Sequence, residues 1–303
     1  MWMHGSIKIV DGNPTMEYDY GGRLDHGRRY YAPNSFWDPI SQHHVIFAWL
    51  QENDLPELWH ERQAWSGMLS LPRILRHTEM FFVCGTLATP LEEITSIRKE
   101  LNPQGTYTIS TLASAPHPAL EQLRGGPLPF PTPTKKSAIA TFAHPTKHLE
   151  IDISCLLPRE VRRLGLSILH SSDAKQRTTM YFDAAAETFL IDRSQSTTIT
   201  DVDTAPEVAP HTLFLVRDDH GAVAQEFLDV RAFYDVSALE VFVNERTAIA
   251  TRIYPDHATC FGIEVFLEFG SGSQSVSDSD AGGGVVWRRS HCWEILSRQA
   301  IVI

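Results

Sequence analysis

The chain has 303 residues, 43% of them apolar and 10% aromatic, enough for one large or two medium domains with cores of their own. A formal charge of -11 provides no basic footprint for nucleic acid or for an anionic membrane surface, so neither is expected as a partner. No apolar run approaches the roughly 18 to 20 residues that span a bilayer, and the first residues lack the basic and apolar segments of a secretion signal, so no signal peptide is expected.

From Gly5 to about Cys84 the chain reads as short strands in SIKIV, RYYAPNSF, HHVIFAWL, GMLSLPRIL and TEMFFVC. Turn pairs separate them: Asp11-Gly12, Gly21-Gly22 and Asn53-Asp54. Next comes TPLEEITSIRKELNPQG, with Thr89 as N-cap and Pro90 at the first position; Leu91, Ile94, Ile97 and Leu101 share one face, which predicts a helix ended by Asn102-Pro103. A shorter helix is expected in HPALEQLR, stopped by Gly125-Gly126, and the proline-rich GGPLPFPTPTKK fits neither regular structure. From Lys136 to about Gly270 ten evenly spaced strand patterns, among them HLEIDISCLL, LGLSILH, LDVRAFYD and ALEVFVN, predict a β-sandwich. The low-complexity stretch from Ser271 to Gly284 is expected to be a mobile loop, and VVWRRSHCWEIL a last strand with a tail. The expected division is therefore 1–85, a linker with short helices over 86–135, and a sandwich over 136–303.

The densest chemistry lies in GGRLDHGRRYYAPNSFWDP. Asp25 precedes a turn that Gly27 permits, and Arg28, Arg29, Tyr30 and Tyr31 follow, a set able to bond sugar hydroxyls or to tune a neighbouring acid. An aspartate in a turn with exposed arginines is the commoner meaning of such a stretch taken alone. His43-His44 with His60 lacks ligand spacing, and the cysteines 84, 155, 260 and 292 form no paired motif, so neither metal, cofactor nor thiol nucleophile is expected; the thiols should be buried. Glu92-Glu93 and Asp218-Asp219 read as helix-start and turn residues. Asn13-Pro14-Thr15 is blocked by proline as a glycosylation site.

Taken together, YGGRLDHGRRYYAPNSFWDP, VIFAWL and QAWSGMLSLPRIL resemble the last part of the catalytic propeller in glycoside hydrolase family 32, the invertases, inulinases and related β-fructofuranosidases. Ala48 stands where that family usually has glycine before the tryptophan. TLASAPHPALEQLR, LIDRS and LDVRAFYDVSALEVFVNERTAIATRIYP are similar to its interdomain segment and sandwich. The resemblance implies an all-β fold, part of a five-bladed β-propeller followed by a β-sandwich, with sucrose or a fructan as partner. By the same resemblance Asp25 matches an aspartate beside the family's acid/base, where it helps set the protonation of that group. Arg28 falls near a basic partner, and Trp49 and Trp65 at the rim of the fructose pocket. Tryptophans on a strand are more often core.

Family members use a retaining mechanism with an aspartate nucleophile in W-[ML]-N-D-P-N-G, a glutamate acid/base in an E-C motif and a third carboxylate in R-D-P. None of these occurs in the sequence, and in FWDP Trp37 replaces the arginine. Four-stranded blades take about 40 to 45 residues each, so about 85 residues before the linker make at most two. The expectation is a family member lacking its nucleophile and acid/base and inactive alone. The alternative is a non-catalytic carbohydrate-binding or structural β-sandwich.

Overall fold

The computed structural model describes residues 1–130, 132–134, 137–144, 146–256, 260–270 and 284–296, and the fold is all-β. The N-terminal part runs β1 (Trp2–Val10), β2 (Asn13–Gly22), β3 (Tyr30–Asp38), β4 (His43–Leu50), helix α1 (Glu57–Gln63), β5 (Met68–Leu69), β6 (Arg73–Thr86), β7 (Arg98–Leu101) and β8 (Tyr107–Pro116). Then follow β9 (Arg124–Leu128), β10 (Ile139–Phe142), β11 (His148–Leu156), β12 (Val161–Leu169), β13 (Arg177–Asp183), β14 (Thr188–Asp192) and β15 (Glu207–Pro210). The chain closes through β16 (Phe214–Arg217), β17 (Val223–Gln225), β18 (Leu228–Asp235), β19 (Ala238–Val243), β20 (Thr247–Arg252), β21 (Gly262–Phe269) and β22 (Val286–Ile295).

Two antiparallel six-stranded sheets, in orders β10-β21-β12-β13-β14-β15 and β20-β19-β18-β11-β22-β9, face each other as the sandwich. Alternate residues of each strand, such as Leu149, Ile151 and Ile153 on β11 and Leu164, Leu166 and Ile168 on β12, meet in one core. In β19 and β20 every residue is buried, because both faces are covered. Leu239, Val241 and Val243 enter the sandwich core, whereas Phe242 packs with Leu120 and Ala248, and Ala238 and Ala250 pack against Leu50 of the N-terminal sheet.

The N-terminal part is a hairpin, β1-β2, beside a sheet built on β3-β4-β6-β8. The strand pattern missed β2, although Met16, Tyr18 and Tyr20 alternate there with Glu17 and Asp19, and missed α1, a short helix that buries no side chain. The sequence-predicted helix over 89–102 does not form. A 3-10 turn at Leu91–Glu93 is followed by β7, which pairs with β8. Tertiary contacts override the local pattern: Leu91 and Ile97 are drawn into a cluster with Val83, Ile109 and Phe214, and Thr89 turns its hydroxyl to Glu187 instead of capping. The second expected helix is a 3-10 segment, Pro118–Leu123, with His117 as its side-chain cap.

Strand pairing crosses the expected boundaries. β8, inside the expected linker, joins the N-terminal sheet beside β6, and β9 joins the sandwich through β22. β16, reached only after seven sandwich strands, pairs with β6. The loop expected over 271–284 lies outside the described residues except for Gly284, as does the tail after residue 296.

Candidate functional site

Asp25 sits in the turn between β2 and β3, where His26 donates its backbone N–H to Ala248 O at 2.8 Å. Gly27 is required there, since a Cβ would fall 1.9 Å from Ala250 O. The carboxylate is buried. Its Oδ1 accepts from Gly27 N at 2.7 Å and from Ala250 N of β20 at 2.9 Å, and its Oδ2 faces Arg73 Nη1 at 2.7 Å. Arg73 donates its other arm to Glu240 Oε2 of β19 at 2.7 Å, and its guanidinium lies 4.2 Å from the Tyr30 ring centroid and 4.9 Å from that of Phe242. Burial pushes the Asp25 carboxyl up to about 6, against the pull of Arg73 and of the two amides. The neighbouring His26 is held down at about 4, by burial first and by Arg23 second.

The two arginines after the turn continue the seam. Arg28 Nε reaches Glu207 Oε2 at 3.2 Å and Nη1 reaches Asp203 Oδ2 at 3.3 Å, while Arg29 Nη2 bridges Asp54 at 2.7 Å and Asp203 at 3.1 Å. From below, buried Arg193 approaches Glu207 at 3.4 Å and donates to Arg252 O at 2.9 Å. Burial opposes ionisation of Asp203, yet the Ala205 amide and Arg193, Arg28 and Arg29 hold its carboxyl below the ordinary value.

Trp49 on β4 and Tyr31 on β3 are direct cross-strand partners, with ring centroids 6.3 Å apart at 70°. Trp49 and Trp65 are each 41% exposed, and Tyr31 is 55% exposed. Gly67, at φ +71°, lets the Trp49 indole come so close that a Cβ would stand 2.0 Å from its Nε1. Trp65 follows α1, and the Arg252 guanidinium lies 5.2 Å from its ring. Exposed indole and phenol faces at fixed spacing suit stacking against the apolar face of a sugar ring.

The structure thus sends Asp25 and Arg28 into the seam with the sandwich and leaves Trp49 and Trp65 at the surface. β20 underlies both, since the Ala250 amide meets Asp25 and Arg252 lies beside Trp65. Sequence reasoning missed Arg73, Glu240, Glu52 and Arg252. The available signal was a charge inside an apolar strand, as in ALEVFV and AIATR. Among the described residues, no group of three or more His, Cys, Asp or Glu side chains is placed to hold a metal. Cys155, Cys260 and Cys292 are buried and free, and burial raises the thiols of Cys155 and Cys292 to about 12, which removes them as nucleophiles.

Comparison with known proteins agrees along the chain. The model of the glycosyl hydrolases family 32 C-terminal domain matches residues 119–281, and that of the family's N-terminal domain matches residues 3–82. A vacuolar acid β-fructofuranosidase 2 from a Rosa hybrid cultivar is 25% identical over 280 residues, covering 86% of this chain and 40% of the relative. Among solved structures, a β-fructofuranosidase of Aspergillus kawachii complexed with glycerol superposes with a TM-score of 0.79 at 23% identity, covering 99% of this chain and 52% of that one. A Bombyx mori family 32 β-fructofuranosidase mutant in complex with sucrose gives 0.55 at 15% identity, covering 97% and 46%. The chain spans about half the length of these proteins or less.

Proposed function

Because the chain belongs to glycoside hydrolase family 32, we propose that it serves the hydrolysis of β-fructosidic bonds in sucrose or a fructan, with Trp49, Trp65 and Tyr31 as part of the sugar-facing wall. The observation that carries this reading is the exposed Trp49–Tyr31 pair, with exposed Trp65 on the segment leading to Gly67, beside a motif-bearing seam. Relatives that bear the names of β-fructofuranosidases, one of them holding sucrose, support the substrate class.

Retaining hydrolysis needs a nucleophile and an acid/base about 5 to 5.5 Å apart, both open to the sugar. Asp25 and Glu240 do not meet that need, for each is buried against Arg73. A carboxylate held by two amides and a guanidinium neither attacks an anomeric carbon nor protonates a leaving oxygen. The nucleophile and acid/base therefore belong, on this reading, to propeller strands not among these 303 residues, and Asp25 acts through the seam and not on the sugar.

The test is fructose release from sucrose and from inulin by the purified chain. We expect no release above background, since general acid/base catalysis alone is worth about 10² to 10⁴ in rate. Turnover that disappears in Asp25→Ala would show that the catalytic carboxylates lie inside the chain. Sucrose binding without turnover, persisting when the remaining propeller strands are supplied as a second polypeptide, would favour a non-catalytic carbohydrate-binding role.

A further inference from the structure

One buried carboxylate stands between the aromatic wall and the sandwich. Glu52, just after β4, is 1% exposed, and its two oxygens serve different parts of the molecule. Oε1 accepts from Arg252 Nη2 of β20 at 2.5 Å and from the Tyr254 hydroxyl at 3.2 Å. Oε2 accepts from Gly67 N at 2.7 Å and from Gln63 Nε2 at 3.0 Å. Gln63 in turn donates to Trp65 O at 2.7 Å.

The segment from Gln63 to Gly67 needs such an anchor. Helix α1 buries no side chain and ends at Ala64 in the left-handed region, φ 63°, so it brings little packing of its own. Yet this segment carries Trp65 and the glycine against which Trp49 rests. On the sandwich side Arg252 is fully buried. Its Nη2 also donates to Ser237 Oγ at 2.7 Å, its Nε and Nη1 have no hydrogen-bond partner among the described residues, and the guanidinium faces the rings of Trp65 and Tyr254 at 5.2 and 5.7 Å. A cation with two such unpartnered arms is fixed by its carboxylate and by aromatic faces, a geometry that favours one placement of the Trp65 ring.

We propose that Glu52 and Arg252 are positioning residues for the sugar-facing wall: through them the sandwich sets where Trp65 and Trp49 stand, and so sets affinity for the β-fructoside. The second clause rests on the sugar-binding reading above, and the first does not.

The test uses the full chain carrying Glu52→Gln, Arg252→Met or Arg252→Lys, each with and without Trp65→Phe. Acrylamide quenching of tryptophan emission, a sucrose titration followed by the same emission, and urea unfolding are measured together. In Glu52→Gln and Arg252→Met, the quenching that vanishes with Trp65→Phe should rise, and sucrose should bind about tenfold more weakly, the size of one charge-assisted hydrogen bond. Arg252→Lys keeps a cation opposite Glu52 and should restore most of both signals. Unchanged Trp65 quenching in both charge-removing variants, with only a lower urea midpoint, would overturn positioning and leave a mere interdomain tie. If sucrose produces no response in the unaltered chain, the sugar-wall reading and the affinity clause fall together, while the quenching arm still decides whether the two residues position Trp65.

Discussion

Replacing Asp25 with asparagine separates burial from attraction at the seam between the two sheet systems. The carboxylate gains from Arg73 and two backbone amides but loses its water, and the net result is a carboxyl raised from 3.8 to about 6. Between about pH 4 and 6 the folded chain therefore keeps a proton that the unfolded chain has released. The group's contribution to stability falls as pH rises through that window and is level above it. A shift of about two units at about 1.4 kcal/mol each corresponds to about 3 kcal/mol. The asparagine side chain does not titrate, and its oxygen can still accept from Gly27 and Ala250. Urea unfolding of both proteins at steps from about pH 4 to 8, subtracted at each pH, cancels the other carboxylates. The difference, native minus variant, should drop by about 3 kcal/mol and then stay flat. A difference that is flat throughout, or that rises with pH, would show that Arg73 outweighs desolvation and would refute the reasoning.

Three other outcomes are expected. Arg73→Met leaves Asp25 and Glu240 facing each other without their shared cation and should cost about 3 to 5 kcal/mol in urea unfolding. Gly67→Ala places a methyl group in the space of the Trp49 indole at a positive φ; it should cost about 1 to 3 kcal/mol and shift tryptophan emission, and an unaltered spectrum would count against the packing. We also propose that the sandwich unit begins near His117 and not near Lys136. A chain started at 117 should melt cooperatively by circular dichroism, and one started at 136, which lacks β9 and bares the β22 edge, should melt at lower temperature.

The sandwich was legible because its strands alternate cleanly. Leu149, Ile151 and Ile153 point one way, and the partner sheet supplies the same pattern. The helix expected at 89–102 was illegible for the opposite reason, since Leu91 and Ile97 satisfy a helical period and a tertiary cluster equally well and only the presence of Phe214, from far along the chain, decides. At the site, the motif around Asp25 was visible, but the direction of its side chains was not. Nothing local tells that Asp25 meets Ala250 and Arg73, or that Arg28 meets Glu207, because those partners come from other turns and strands. The buried charges Glu240 and Arg252 were readable as anomalies within apolar strands, yet their partners were not.

The pairing of β16 with β6 bears on the order in which the molecule is made. Leu215 sits opposite Gly85, so the sheet begun by the first part of the chain receives one of its members about 130 residues later. A ribosome that has finished β8 has not yet produced that member. The edge of β6 must wait, open to other strands, while most of one sandwich sheet emerges, and closing so long a loop delays its completion. The part synthesised early is thus among the last to be finished, and a chain interrupted before residue 214 would present that unfilled edge to its neighbours.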